Sequence, residues 1–89
     1  MLFVAISNAK AGSPKERIAR RAQWQPPEGV KPIEEYWLQS STPSVVSIFE
    51  ADNIAPIMAA TAEWGDVLDI SVFPAITASE GLKLAKQMM

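Results

Sequence analysis

The chain opens on a short apolar run, Leu2 to Ser7, built from residues that favour extended structure, and it predicts a first strand. After the small polar stretch Asn8–Ser13, the segment Ser13-Pro14-Lys15-Glu16 carries three helix-start signals together. Ser13 can cap, proline suits the first helical position, and Glu16 completes a capping box. The helix should run to about Gln23, with a thin inner stripe (Ala11, Ile18, Ala22) and Arg17, Arg20, Arg21 and Trp24 on its other side; Glu16 and Arg20 are spaced to pair. Gln25-Pro26-Pro27-Glu28-Gly29 makes a rigid turn. Ile33–Gln39 reads as a second strand, Ser40–Pro43 as a hairpin loop and Ser44–Glu50 as a third strand. Asp52 or Asn53 then caps a second helix whose apolar stripe is Ile54, Ile57, Met58, Thr61 and Trp64, with Ala59, Ala60 and Glu63 outward and Gly65 ending it in a left-handed cap. Val67–Phe73 is a fourth strand, and Thr77-Ala78-Ser79-Glu80 is a capping box that opens a terminal helix reaching Met89. The order β-α-β-β-α-β plus a C-terminal helix predicts an α+β, ferredoxin-like domain over residues 1–89, with two helices on one face of a four-stranded antiparallel sheet.

Side chains on a strand alternate between faces, so each strand has an apolar set to assign. Leu2, Val4 and Ile6, Val46 and Ile48, and Leu68, Ile70 and Val72 form the greasier set, and we expect them beneath the helices. Phe3, Ala5, Ser7, Val45, Ser47, Phe49, Val67, Asp69, Ser71 and Phe73 then fall on the second face. Burying half a dozen apolar side chains there is worth on the order of 10 kcal/mol before ordering costs. A second copy of the chain is the simplest cover, and the expected partner is the protein itself, a homodimer through this sheet face. The terminal helix adds contact surface through Leu82, Ala85 and Met89 on one side and Leu84 and Met88 on another.

Composition narrows the chemistry. Apolar residues are 48% and charged residues 20% of the 89, as in ordinary globular proteins. The chain has neither cysteine nor histidine. This excludes a disulfide framework, thiol or serine–histidine catalysis, and histidine- or thiolate-held metal. A net charge of −2 argues against nucleic-acid binding. The distribution is uneven: residues 1–31 hold six basic side chains against two acids, whereas residues 32–82 hold eight acids and no base. No segment is long and apolar enough for a membrane span, and the six-residue apolar start is too short for a signal peptide, so a cytoplasmic location is expected.

Four groups of residues could carry chemistry. Tyr36, Trp37 and the Glu34/Glu35 pair lie on the second strand, where alternation puts Glu34 with Tyr36 or Glu35 with Trp37. A carboxylate beside an aromatic ring could handle protons; equally, the glutamates could be edge-strand charges that prevent further pairing. Asp69, amid apolar neighbours, is either a polar anchor in a ligand pocket or a structural hydrogen-bonding group reaching Ser7, Ser47 or Ser71. Arg17, Arg20, Arg21 and Trp24 could hold a carboxylate or phosphate, or form a solvated face with Arg20 stacked on Trp24. Trp64 reads as core. Tyr36, Trp37 and Asp69 are the expected ligand-binding residues; no metal site, cofactor or catalytic residue is assigned.

Several segments together resemble one family. They are the opening Met1-Leu2-Phe3-Val4, Pro26–Lys31 leading to a strand that ends in Trp37, Phe49-Glu50-Ala51-Asp52, and Trp64–Asp69 with Val72-Phe73-Pro74. Over roughly residues 1–77 the chain resembles the domain-of-unknown-function 3303 family. That family is similar in fold to the dimeric α/β-barrel superfamily, in which two ferredoxin-like subunits pack their sheets into a shared barrel. The resemblance implies the fold and the dimer and no activity, and the lack of histidine sets this chain apart from haem-handling members. Three functional readings follow: a binder of a small apolar or weakly anionic molecule, a cofactor-free monooxygenase-like or isomerase-like enzyme, or a purely structural interaction protein.

Overall fold

A computed structural model describes residues 1–89. Strand β1 (Leu2–Ala9) is followed by α1 (Pro14–Gln23), β2 (Lys31–Trp37), β3 (Val45–Glu50), α2 (Ala55–Trp64), β4 (Leu68–Ala75) and α3 (Ala78–Met88). The strands lie in the order β2-β3-β1-β4, every neighbouring pair antiparallel. This is the expected ferredoxin-like α+β arrangement with an added C-terminal helix.

Local chemistry fixes the element ends. The Ser13 hydroxyl accepts from the Glu16 backbone N–H at 3.1 Å, and Thr77 does the same for Glu80, so both capping residues act as the sequence implies. The start of α2 departs from expectation: the capping position is Ile54, which gives no side-chain bond, and Asn53 just before it accepts from the Ala55 N–H at 2.9 Å. Gly12, at φ 76°, makes the turn between β1 and α1, which an L side chain would resist. Gly65 departs from expectation: at φ −64° it is right-handed, and the chain leaves α2 through a turn in which Val67 donates to the Trp64 carbonyl. Strand β4 continues through Pro74, which its edge position permits because no ladder partner is needed on the open side. The other edge, β2, carries Pro32 and a register irregularity between Pro32 and Glu34. Prolines at both edges discourage further strand pairing.

The assignment of faces on β1 and β3 is the reverse of the expected one. Three rows of paired residues cross the helix-covered side: Trp37–Val45–Ser7–Ile70, Glu35–Ser47–Ala5–Val72 and Pro32–Phe49–Phe3–Pro74. Phe3, Ala5, Ser7 and Ser47 are each buried there to 5% exposure or less. The aliphatic residues Leu2, Val4, Ile6, Val46 and Ile48 face away from the helices, beside Phe73 and Tyr36, both 51% exposed. Only β4 keeps its expected sense, with Leu68, Ile70 and Val72 inward. Periodicity says which residues of a strand share a face; it does not say which of two apolar faces a helix takes. The helices settle it. Helix α1 buries no residue, and α2 buries only Ile57 and Trp64. Ile54 and Met58, expected on the inner stripe, are 41% and 62% exposed, while Ala60 is half-buried. A sparse roof suits the side with smaller residues.

The densest packing is correspondingly small. Phe3, Ala51 and Ile57 form it, with Val30 and Val72 against them. Replacing Phe3 by alanine should cost about 3–4 kcal/mol of unfolding free energy, measured by urea titration. A loss under about 1 kcal/mol would mean that this cluster is not the centre of the fold.

Candidate functional site

Above the middle of the covered face, sheet and helices do not meet. A cavity of about 660 Å³ lies between them. That is within the range of small-molecule sites, roughly 300–1,000 Å³. Its floor includes Ser7 and Ser47, diagonal neighbours on β1 and β3, and its roof includes Ile18 of α1 with Ile57, Ala60 and Trp64 of α2. Ser7 and Ser47 are 4% and 5% exposed. The Ser7 carbonyl accepts from the Ser44 hydroxyl at 3.2 Å, both serines line the cavity, and no buried side-chain polar atom of the domain is left without a partner.

Two arginines hold the roof. Arg20 donates to both Asp66 carboxylate oxygens at 3.0 Å and to the Glu63 carbonyl, and its guanidinium lies 4.5 Å from the centre of the Trp64 ring. It therefore ties α1 to the end of α2. Arg21 donates to Glu35 through Nε and Nη2, at 3.1 Å from Nη2 to Oε1, and lies 5.5 Å over the Trp24 ring, tying α1 to β2. Trp24 meets Trp64 edge-on at 5.9 Å and donates its indole N–H to Glu63 at 3.0 Å. The expected Glu16–Arg20 pair is not formed; Arg20 takes the interhelical partner instead, and it stacks on Trp64, whereas Arg21 covers Trp24. Arg17 borders the cavity and donates from Nη1 to the carbonyls of Ala11 and Gly12, at 2.9 and 2.7 Å.

The expected ligand-binding residues separate. Trp37 borders the cavity, and its indole N–H donates to Glu35. Tyr36, opposite Val46, and Asp69, opposite Asn8, lie on the other face of the sheet and are exposed. Glu35 shares the cavity side with Trp37, as alternation requires, but both its oxygens are occupied by Arg21 and Trp37. The serines of the floor lie outside the expected ligand-binding set. Their signal was present: hydroxyls at period two with Ala5 and Phe3, inside strands otherwise rich in aliphatic residues. No three acidic side chains converge into a metal-ligating group.

Arg20 gives the roof a pH dependence. Its hydrogen bonds to Asp66 hold that carboxyl below its ordinary value of 3.8. A lowered carboxyl stabilises the fold when ionised, so the contribution is complete above about pH 4 and lost as the pH falls through the lowered value. Asp66→Asn should therefore melt below wild type at neutral pH, with the gap closing in acid. A gap that stays constant down to about pH 2 would assign the loss to something other than this carboxylate.

No curated protein and no solved structure matches the chain. No helix is long and apolar enough to cross a membrane. The model of one family, the domain of unknown function DUF3303, matches residues 1–89, beyond the segments that carried the resemblance, and the chain belongs to that family.

Proposed function

We propose that the protein binds a small, mainly apolar molecule in the cavity between sheet and helices, and that it does so as a homodimer joined through the outer sheet face. The binding reading rests on one observation above the others: a cavity of about 660 Å³ with largely apolar walls, whose floor includes the two serines. Small-molecule sites combine apolar walls with a few polar groups that fix the ligand's orientation, and the serine hydroxyls are suited to that role. The geometry gives less to an enzyme. Of the groups considered for proton transfer, Tyr36 and Asp69 lie on the far face and Glu35 is engaged by Arg21 and Trp37.

The dimer is supported by the outer face itself. Leu2, Val4, Ile6, Val46, Ile48 and Phe73 form a continuous apolar patch on a domain of 89 residues. An open patch of that kind marks an interaction surface. Glu34, Glu50 and Asp69 border it without ion-pair partners, while α3, which buries no residue, carries Lys83 and Lys86 opposite its apolar side chains. A second copy brings both the matching apolar surface and the lysines for these carboxylates.

Native mass spectrometry of gently purified protein tests both halves. The expected species is a dimer with a stoichiometric small additional mass. Val4→Asp should convert it to a monomer that keeps the small mass, because Val4 faces away from the cavity. A wild-type monomer would overturn the assembly reading. A cavity that takes up no apolar compound from a mixed set added before spraying would overturn the binding reading.

A further inference from the structure

We infer that the molecule held in the cavity is a monoanion, a carboxylate with an apolar body, and that Arg17 is the residue that receives its charge. This deepens the binding reading and rests on it. Three ionised side chains border the cavity: Arg17, Arg21 and Glu35. Arg21 and Glu35 cancel one another in a three-bonded ion pair. Arg17 has no carboxylate partner; the chain's two side-chain ion pairs use Arg20 and Arg21. The Ala11 and Gly12 carbonyls bind Arg17 through a single nitrogen, Nη1, so they fix the guanidinium in place without neutralising it, and Nε and Nη2 remain free to donate. The cavity is thus left with one uncompensated positive charge beside apolar walls, where a charge-assisted hydrogen bond is stronger than in water.

The same inventory excludes other ligand classes. A cation would meet Arg17 with no free carboxylate to offset it. A phosphate dianion asks for more positive charge than one arginine, and the α1 N-terminus gives no help, since Ser13 already occupies the Glu16 N–H. The serines lie at the end of the sheet from which the chain passes through Gly12 into α1, the end to which Arg17 is tied. A carboxylate there can accept from the guanidinium and from a serine hydroxyl while its apolar body extends along Trp37 and Ile57.

The test uses an isosteric pair, 1-naphthaleneacetate and 1-naphthaleneacetamide, titrated calorimetrically into the full-length protein. Wild type should bind the carboxylate about tenfold tighter than the amide, as one charge-assisted hydrogen bond implies. Arg17→Gln should bring the two within about twofold by weakening the acid alone. Ala60→Trp, which fills the roof side of the cavity, should abolish both. Equal binding of acid and amide to wild type, or an Arg17→Gln protein that keeps the preference, would overturn the anion inference and leave the cavity reading standing. Binding that survives Ala60→Trp would place the probes elsewhere and overturn both. Binding of neither compound to wild type would do the same.

Discussion

Helix α1 is held above the sheet by two arginines, not by apolar packing, and the cavity depends on that substitution. A helix normally docks by burying a stripe of large apolar side chains, which draws it down onto the sheet. Helix α1 has no such stripe and buries none of its ten residues. Arg20 reaches across to Asp66 and Trp64, and Arg21 reaches down to Glu35, so the helix is anchored through long side chains at a distance from the strands. Exposed ion pairs contribute little individually, and cation–π contacts at exposed sites about 0.5–1 kcal/mol each. The roof is therefore attached by several modest interactions that share residues, and the space beneath it is kept free of core side chains.

The rest of the fold is consistent with this choice. The strands present the roof with Ala5, Ser7 and Ser47 in the middle of the sheet and with Phe3 and Phe49 toward the start of α2, while turning Val4, Ile6, Val46 and Ile48 outward. True close packing is confined to Phe3, Ala51 and Ile57, at the end of the sheet where α2 begins. The domain thus separates two roles that most small proteins combine. One face of the sheet encloses a partly polar space; the other holds most of the aliphatic surface in the open.

Much of this architecture was legible in the chain. Ser13 and Thr77 mark helix starts through local hydrogen bonds that need no tertiary context, and both cap as read. Glu16 and Glu80 take part through their backbone N–H groups, and the return bonds of the capping boxes are not formed. The element order, the sheet class and the pairing of Glu35 with Trp37 on one side also follow from local pattern. The inside and outside of β1 and β3 did not, because both alternating sets are apolar enough to pass as core. What decides between them is the bulk that α1 and α2 bring down, and that depends on where Arg20 and Arg21 find acids 46 and 14 positions away in the chain. For the same reason the position of Trp37 at the cavity could be reached from sequence, whereas Ser7 and Ser47 looked like interruptions in apolar strands. Tyr36 and Trp37 are adjacent on β2 and so take opposite sides of the sheet, and Asp69 lies on the face away from the helices, as its alternation on β4 implies, so only Trp37 reaches the cavity.

The tryptophans end up in one place. Trp24, Trp37 and Trp64 all border the cavity, while the outer sheet face carries only Tyr36 and Phe73 as aromatic residues. Two of the three indole N–H groups are hydrogen-bonded to carboxylates, Glu63 and Glu35, and Trp24 and Trp64 share an edge contact. Excitation at the red edge of the absorption band selects indoles over phenol, so intrinsic emission from this protein comes from the walls of the cavity, from Trp64 buried in its roof to Trp37 half-exposed at its margin. The single tyrosine, on the opposite surface, is the chain neighbour of Trp37 and lies close enough to pass its excitation to that indole. Light absorbed on either side of the sheet is thus emitted from the indoles that line the cavity, which gives the native chain one optical reporter without labels or substitutions.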